Sequence, residues 1–338
     1  MANLLLIGGA GYTGRQILDA WLDQASSQVT VLDNGTGVGG MSRLSAFQND
    51  PSVQIIRDDA RDRMRIDDLL SYEAFDHVVQ LATGAAGKMD RSDVLDSMAR
   101  GTQILIESIA QHCPLTPVTQ VVSTAPWGSQ IDRAVNHGVS IRPASLLGVA
   151  EAVSMDVALG LGRELGVQTR VLVVPLSIGP HQLEGPVAQV IASILSGQGY
   201  PKTLSKSHGR MIYGPDLGQR VVQFLAQPAE GSVIRLPGLH ETSWKQLTLM
   251  IEQLLERFVQ TNPALKTRFP EASWARRLSD HEAHHPGWPE IVMSGQGAIE
   301  KPETAWPKAL ADTLRWYLTE PSLWESRISM PESPALMN

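Results

Sequence analysis

The sequence is nearly devoid of cysteine, since Cys113 is the only one in 338 residues. A single cysteine excludes an internal disulfide and a cysteine-based metal site. Three histidines lie close together at His281, His284 and His285. No carboxylate or cysteine stands at a metal-ligand spacing from them on a regular element, so we predict no metal site.

An excess of positive charge is missing as well. The 28 Lys and Arg residues are outnumbered by 35 Asp and Glu, for a net charge of −7. An acidic chain is a poor match for nucleic acid or for an anionic membrane surface. The expected partner is therefore a small-molecule substrate, and a homodimer is the assembly that we consider.

Long apolar runs are also absent. No stretch approaches the roughly 18 consecutive apolar residues that a membrane-spanning helix needs. The apolar run Leu4–Ile7 is too short for a signal peptide and has no basic segment before it. It predicts a first strand instead, and the expected location of the protein is cytoplasmic.

The first half of the chain alternates short β-branched runs with longer helical patterns. This alternation predicts an α/β fold, a doubly wound parallel sheet of the Rossmann type with helices on both faces. The predicted strands are Asn3–Ile7, Gln28–Leu32, Val53–Ile56, His77–Leu81, Thr119–Ser123 and Thr169–Val174, and the predicted helices are Gly11–Asp23, Arg65–Tyr72, Arg91–His112 and Leu146–Leu165.

The alternation weakens after about Gly179, where Pro and Gly become frequent. We predict a dinucleotide-binding domain over residues 1–178, with a return segment near residues 210–240. Residues 179–338 are predicted to form a smaller substrate-binding lobe. Its helical patterns are Val187–Leu195, Trp244–Phe258 and Ala305–Tyr317.

A glycine-rich turn follows the first predicted strand. Gly9-x-Gly11-x-x-Gly14 fits the dinucleotide fingerprint, and a second version of it begins at Gly8. Glycine is needed because the turn has unusual dihedral angles and its backbone must approach the pyrophosphate at the start of a helix. Asp33 follows 19 residues after Gly14, at the end of the second strand. A carboxylate there accepts hydrogen bonds from ribose hydroxyls and repels a 2′-phosphate, which favours NAD over NADP.

These segments resemble the extended short-chain dehydrogenase/reductases, the group that contains nucleotide-sugar epimerases and dehydratases. Further similar segments follow in order, among them Asp58–Asp62, Gln80–Thr83, Ser123–Ala125 and Ile178–Pro180. The resemblance implies NAD as the cofactor and implies that Asp59 holds the adenine. The cofactor-binding residues that it implies are Gly8, Gly11, Tyr12, Thr13, Gly14, Asp33, Asn34, Asp59, Ala60, Leu81, Ala82 and Thr83.

The sequence departs from this family where its chemistry lies. The family uses a Tyr and a Lys four residues later on the helix after strand five, whereas the aligned residues here are Leu147 and Glu151, and the chain contains no Tyr-x-x-x-Lys. Leucine cannot move a proton. Glu151 could bind the cofactor ribose or act as a base, or it could be a helix-surface glutamate.

Other candidates for acid–base work lie near the predicted mouth of the site. Thr124 fits the family's Ser/Thr that binds a substrate hydroxyl, and its alternative role is to cap a strand end. The catalytic candidates that we predict are Thr124, Glu151, His181 and Tyr213, with Lys88 and Tyr12 as further replacement acids.

Three functions follow from these observations. The first is an NAD-binding enzyme of the epimerase/dehydratase type that acts on a small polar, sugar-derived metabolite with a non-standard acid–base set. The second is a non-redox lyase, cyclase or isomerase on the same scaffold. The third is a non-catalytic NAD-binding regulatory protein. Arg210 lies one position from the family's phosphate-binding Arg, which leaves a nucleotide-sugar substrate open.

Overall fold

The computed structural model describes residues 2–81, 90–130, 141–196, 208–227, 233–268 and 303–328. The chain divides into two compact units. Unit 1 comprises Met1–Pro175 and Gly214–Pro237, and unit 2 comprises Leu176–Tyr213 and Gly238–Asn338. The assignment of cofactor binding to unit 1 and of substrate binding to unit 2 stays a prediction.

Ten strands lie in the described residues. In chain order they are β1 Ala2–Ile7, β2 Ser27–Leu32, β3 Val53–Ile56, β4 His77–Gln80, β5 Val118–Val122, β6 Thr169–Val173, β7 Ser177–Ile178, β8 His208–Tyr213, β9 Val233–Arg235 and β10 His240–Ser243. Unit 1 holds a seven-stranded sheet in the order β3-β2-β1-β4-β5-β6-β9, and every pairing in it is parallel. The predicted Rossmann-type sheet is therefore confirmed.

The described α-helices number ten. They are α1 Tyr12–Leu22, α2 Arg63–Tyr72, α3 Arg91–His112, α4 Leu146–Leu165, α5 Gly185–Ser196, α6 Gly214–Leu225, α7 Trp244–Thr261, α8 Pro263–Arg268, α9 Trp306–Thr319 and α10 Pro321–Ile328. In unit 1, α1 packs against α6, and α3 packs against α2 and α4. Strands covered on both faces must be apolar throughout, which explains why Leu4, Leu5 and Leu6 are all fully buried.

The order of the parallel strands locates the site. The strand order reverses between β1 and β4, and in open α/β sheets ligands bind in the crevice outside the carboxyl ends of the strands at such a point. The predicted strand ends Leu81, Ser123 and Val174 lie just beyond β4, β5 and β6. The chain therefore leaves the sheet one residue earlier than predicted, at the edge where the crevice opens.

Two differences from the predicted elements have local causes. The helix α2 begins at Arg63 rather than Arg65 because the side chain of Asp62 caps it by accepting a hydrogen bond from the Arg65 amide. A 3₁₀ helix, Gly40–Phe47, was not predicted. Its short run has neither a clear helical period nor a strand alternation, so its position depends on packing against α1.

Unit 2 has its own sheet and its own core. Its strands follow the order β10-β8-β7, with β10 antiparallel and β7 parallel to β8. Helices α5, α7, α9 and α10 pack around a buried cluster that includes Trp244, Tyr317 and Trp324. The helix α7 starts with a capping box formed by Ser243 and Gln246.

None of the helices in the described part of the chain combines the length and apolarity needed to cross a bilayer. Nor do the described ranges contain a group of three or more His, Cys, Asp or Glu residues that could hold a metal ion. The three neighbouring histidines of the sequence, His281, His284 and His285, lie outside the described residues.

Candidate functional site

The glycine-rich turn connects β1 to α1 with little space around it. Gly8 has a φ of +81°, and a Cβ added there would lie 3.1 Å from the carbonyl carbon of Leu81. A Cβ added to Gly14 would lie 2.6 Å from the Gly9 Cα, so the helix approaches the turn too closely for a side chain. Gly11 is the N-cap of α1 and has no side-chain acceptor. The positive end of α1 is therefore suited to bind an anionic group.

Asp33 is placed beside this turn by the end of β2. Its Oδ2 accepts a hydrogen bond from the Ala10 amide at 2.9 Å, and its Oδ1 accepts one from the Gly35 amide at 2.7 Å. Burial raises the pKa of Asp33, and the two amides oppose that rise. Each carboxylate oxygen accepts about two hydrogen bonds, so each still has room for one ribose hydroxyl.

The side chain of Asp59 is hydrogen-bonded to both Asn34 and Arg61. The Asp59 carboxylate accepts hydrogen bonds from the amide, Nε and Nη2 of Arg61 and from Nδ2 of Asn34. These four donors use about all of its acceptor capacity, and the pKa of Asp59 is lowered to about 2, mainly by Arg61. Adenine binding by the Asp59 carboxylate would require one donor to move, so this contact stays a prediction.

The remaining cofactor candidates contribute mainly backbone or packing. Ala60 lies 3.6 Å from the position of a Cβ added to Gly101 of α3. Thr13 lies half-buried in the first turn of α1. Tyr12 is only 7% exposed, and its side chain packs against Gly214 at the start of α6. The hydroxyl of Tyr12 is buried in this helix packing, and its role as a replacement acid stays a prediction. Ala82, Thr83 and Lys88 lie outside the described residues.

The end of β5 carries the polar groups that distinguish this site. Ser123 donates a hydrogen bond from Oγ to the Glu151 carboxylate at 2.6 Å, and its amide donates to the same oxygen at 3.2 Å. The Ala125 amide donates to Ser123 Oγ at 3.0 Å. Thr124 lies between Ser123 and Ala125 in the chain and is half-exposed. The pair between Ser123 and Glu151 was missed in the sequence because 28 residues separate its members.

Glu151 is fully buried, which excludes the helix-surface alternative. Burial raises its pKa to about 7, and the two hydrogen bonds from Ser123 oppose that rise without cancelling it. Its Oε1 is buried without a hydrogen-bond partner among the described residues. A pKa near neutrality is the property that a general acid or base at physiological pH requires.

Comparisons with known proteins decide the family. The profile of the NAD-dependent epimerase/dehydratase family matches residues 4–233, which is more than half of the chain. The chain belongs to this family. NAD is the cofactor of the family, and the glycine turn and Asp33 fit it.

Individual relatives are distant but match nearly the full length. The chain is 23% identical to a dTDP-glucose 4,6-dehydratase from Streptomyces niveus, over 98% of this chain and 97% of the relative. A second dTDP-glucose 4,6-dehydratase, from Streptomyces antibioticus, is 24% identical over 98% of this chain and 97% of the relative.

Solved structures share the fold. The structure of dTDP-glucose 4,6-dehydratase from Bacillus anthracis in complex with NAD has a TM-score of 0.77 at 15% identity and covers 96% of this chain and 99% of its own. The UDP-glucuronic acid 4-epimerase from Bacillus cereus, in complex with UDP-glucuronic acid and NAD, has a TM-score of 0.75 at 16% identity and covers 94% and 99%.

The helix α4 carries Leu147 and Glu151 at the positions that align with the family's Tyr and Lys. Leu147 packs with Val94, Met98 and Ala150 in an apolar cluster between α3 and α4. A Cβ added to Gly148 would lie 2.5 Å from the Ala125 carbonyl oxygen, so the first turn of α4 lies tightly against the end of β5.

The other two catalytic candidates belong to unit 2. His181 follows β7 with a φ of +67°, and its ring lies 5.0 Å from the ring of Trp316 on α9. A non-glycine residue with positive φ is held there by its surroundings. Gln182 donates a hydrogen bond to the Ser177 carbonyl, and Tyr317 donates one to the Gln182 carbonyl. Tyr213 ends β8 and is 6% exposed. Catalytic roles for both residues stay predictions.

Proposed function

We propose that this protein is an NAD-dependent enzyme of the epimerase/dehydratase type with a nucleotide sugar, or a polar sugar-derived metabolite, as substrate. In this proposal the missing Tyr and Lys are replaced by Glu151 acting through Ser123. The observation that carries the proposal is the 2.6 Å hydrogen bond between Ser123 Oγ and a fully buried carboxyl group. Family membership supports the reaction type, and the departure in α4 supports a different set of proton carriers.

The position of Ser123 explains how a buried group could serve the reaction. Ser123 lies at the carboxyl end of β5, half-buried, with Glu151 behind it and Thr124 beside it. A hydroxyl can accept a proton on its oxygen while it passes its own proton to a neighbouring carboxylate. In this proposal Ser123 connects Glu151 to the carboxyl edge of the sheet, and Thr124 binds a substrate hydroxyl.

The residues of this chain have distinct roles in the proposal. NAD supplies hydride chemistry when it is bound. The glycine turn and Asp33 hold the cofactor, and Thr124 orients the substrate hydroxyl. A proton from that hydroxyl moves to Ser123 Oγ as the Ser123 proton moves to Glu151 Oε2. A carboxyl with a pKa of about 7 exchanges protons in either direction near neutral pH.

The experiment uses the substrates that the relatives' names suggest. Protein loaded with NAD is mixed with dTDP-glucose, UDP-glucose or UDP-glucuronic acid, and the reduced cofactor and the sugar products are followed. We expect turnover by the wild type and a loss of about 10²–10⁴-fold in Glu151→Gln, as for removal of a general base. Asp156→Asn is the matched control, because Asp156 is an exposed carboxylate on the same helix.

The outcomes separate the three functions. Product formation with transient reduction of NAD supports the proposal. Turnover without any redox change favours a lyase, cyclase or isomerase, and NAD binding without turnover across a broad metabolite panel favours a regulatory protein. A rate in Glu151→Gln within about threefold of the wild type would remove Glu151 from the chemistry and leave His181 and Tyr213 as candidates.

A further inference from the structure

Two arginines connect the 3₁₀ helix Gly40–Phe47 to the start of α1 by hydrogen bonds and a ring contact. Arg15 donates a hydrogen bond to the Arg43 carbonyl, and its guanidinium lies 4.5 Å from the ring centre of Phe47. Arg43 is only 3% exposed, and its Nη1 donates hydrogen bonds to the carbonyls of Ala10 and Val38. A buried arginine is costly unless its donors are paired, and Arg43 meets this requirement through two backbone carbonyls.

Arg43 and Asp33 hold the same residue of the glycine turn from two sides. The Ala10 amide donates to Asp33 Oδ2 at 2.9 Å, and the Ala10 carbonyl accepts from Arg43 Nη1 at 3.1 Å. Ala10 precedes Gly11, the N-cap of α1. The two side chains therefore fix the backbone that must approach the pyrophosphate, and they bring a cation close to the carboxylate that faces the ribose.

We propose that Arg43 is a positioning and specificity-determining residue of the cofactor site. Its hydrogen bond to Ala10 holds the glycine turn in its binding conformation. Its positive charge offsets Asp33, and thereby sets how strongly the site rejects the 2′-phosphate of NADP. This inference rests on the proposed binding of NAD in unit 1 and is independent of the sugar substrate.

The two roles are separated by two substitutions. Arg43→Gln removes the charge and keeps an NH2 donor on a side chain that is two atoms shorter, whereas Arg43→Met removes both the charge and the donor. We expect Arg43→Met to weaken NAD binding by about tenfold, because a hydrogen bond from a charged donor is lost. We expect Arg43→Gln to weaken NAD binding no more than Arg43→Met does, while its preference for NAD over NADP rises by about tenfold because the cation is lost.

A second pair of variants tests the effect of the Arg43 charge once the negative charge of Asp33 has been removed. Asp33→Asn removes the repulsion of the 2′-phosphate while Arg43 remains, so the affinity for NADP is expected to rise by about tenfold. In Asp33→Asn/Arg43→Gln this gain should largely disappear. Arg57 is the matched control, since it is exposed and its Nε lies 3.6 Å from the position of a Cβ added to Gly35.

The measurement is calorimetric titration of each folded variant of the full chain with NAD and with NADP, with circular dichroism as the check on folding. If Arg43→Met does not fold, Arg43→Gln and the Asp33→Asn pair decide the question. An unchanged NAD/NADP preference in Arg43→Gln overturns this inference but not the proposed function. The same holds if Asp33→Asn/Arg57→Met loses the gain in NADP affinity that Asp33→Asn shows. Failure of wild-type protein to bind NAD overturns the proposed function and this inference with it.

Discussion

Glu151 shows how burial converts a common residue into a titrating group near neutral pH. In the described structure its hydrogen bonds come from Ser123, and no Lys or Arg there lies within ion-pair distance of it. Burial without a cationic partner among the described residues therefore keeps the carboxyl group protonated to a higher pH than in water. This residue-scale property has a consequence for stability that needs no substrate to measure.

The folded protein should lose stability as the pH rises through neutrality. The pKa of Glu151 is raised from its ordinary value of 4.5 to about 7, so the folded state retains a proton that the unfolded chain releases. The stabilising contribution is complete below about pH 4.5 and lost as the pH rises through about 7. The difference is at most about 3 kcal/mol.

Urea unfolding at about pH 5 and about pH 8 measures this effect. We expect Glu151→Gln to remove that part of the pH dependence and to be more stable than wild type at the higher pH. Asp156→Asn, on the exposed side of α4, should keep the wild-type dependence. Equal slopes for wild type and Glu151→Gln would show that Glu151 does not titrate between these pH values.

At the scale of elements, the surroundings of α4 fit Leu147 and Glu151 better than the Tyr and Lys of the family pattern. A Tyr–Lys pair restored at Leu147 and Glu151 would be expected from the family pattern to leave NAD binding intact. The structure argues otherwise, because the lysine would be buried where the hydrogen-bond partner is a serine donor. An unpaired buried charge costs several kcal/mol.

We therefore expect Leu147→Tyr/Glu151→Lys to unfold at markedly lower urea concentration than wild type. The matched variant Leu147→Met, which keeps the apolar cluster with Val94 and Met98, should change stability by less than about 1.5 kcal/mol. Wild-type stability in the double variant would mean that α4 can rotate or shift to expose position 151.

The junction of β1 and α1 gives a second prediction at this scale. Gly14→Ala places a methyl group 2.6 Å from the Gly9 Cα and 2.8 Å from the Gly8 carbonyl oxygen. Because both are backbone atoms, the turn must move, and we expect loss of NAD binding with lower stability. Gly160→Ala is the control, since in the interior of α4 no atom of the described residues beyond its chain neighbours and the surrounding helix backbone lies within 4 Å of the added methyl.

The control variant should gain stability. Alanine is favoured over glycine in a helix interior by about 0.5–1 kcal/mol, and NAD binding should not change. Thermal unfolding and NAD titration of both variants test the prediction. Undiminished NAD binding in Gly14→Ala would show that the turn does not hold the cofactor.

At the scale of the whole molecule, we predict that the two units carry separate binding functions, with the cofactor in unit 1 and the substrate in unit 2. Arg210 on β8 belongs to unit 2, and its Nη2 lies 3.8 Å from Glu241 Oε2 on the paired strand. Its side chain is 22% exposed, so this arginine is accessible to an anionic group. If unit 2 binds the diphosphate of a nucleotide sugar, Arg210 is a candidate contact.

Arg210→Gln should weaken the binding of dTDP or UDP by about tenfold while leaving NAD binding unchanged. Arg315→Gln is the control, since Arg315 is exposed in unit 2 and paired with Asp312. Parallel titrations with NAD and with the nucleoside diphosphate separate the two units. Unchanged affinity for the diphosphate would direct the search for its site to other residues.

The sequence by itself determined the six strands β1 to β6 and the four helices α1 to α4 of the first half of the chain, together with the glycine turn and the position of Asp33. These features are local or periodic: a buried strand must be apolar, and a turn that closes on a helix needs glycine. The same reasoning identified Glu151 as the residue most worth testing. It did so from its place on a helix rather than from its contacts.

Only the tertiary structure decided which side chains meet. Ser123 and Glu151 are 28 residues apart, and Ala10 and Arg43 are 33 residues apart. No sequence period links such pairs, because they are set by how α4 lies on β5 and how the 3₁₀ helix lies on α1. Tertiary contacts also decided that the hydrogen-bond acceptors of Asp59 are used by Arg61 and Asn34. Hydrogen-bond capacity and burial depend on all neighbours at once, and these exist only in the folded chain.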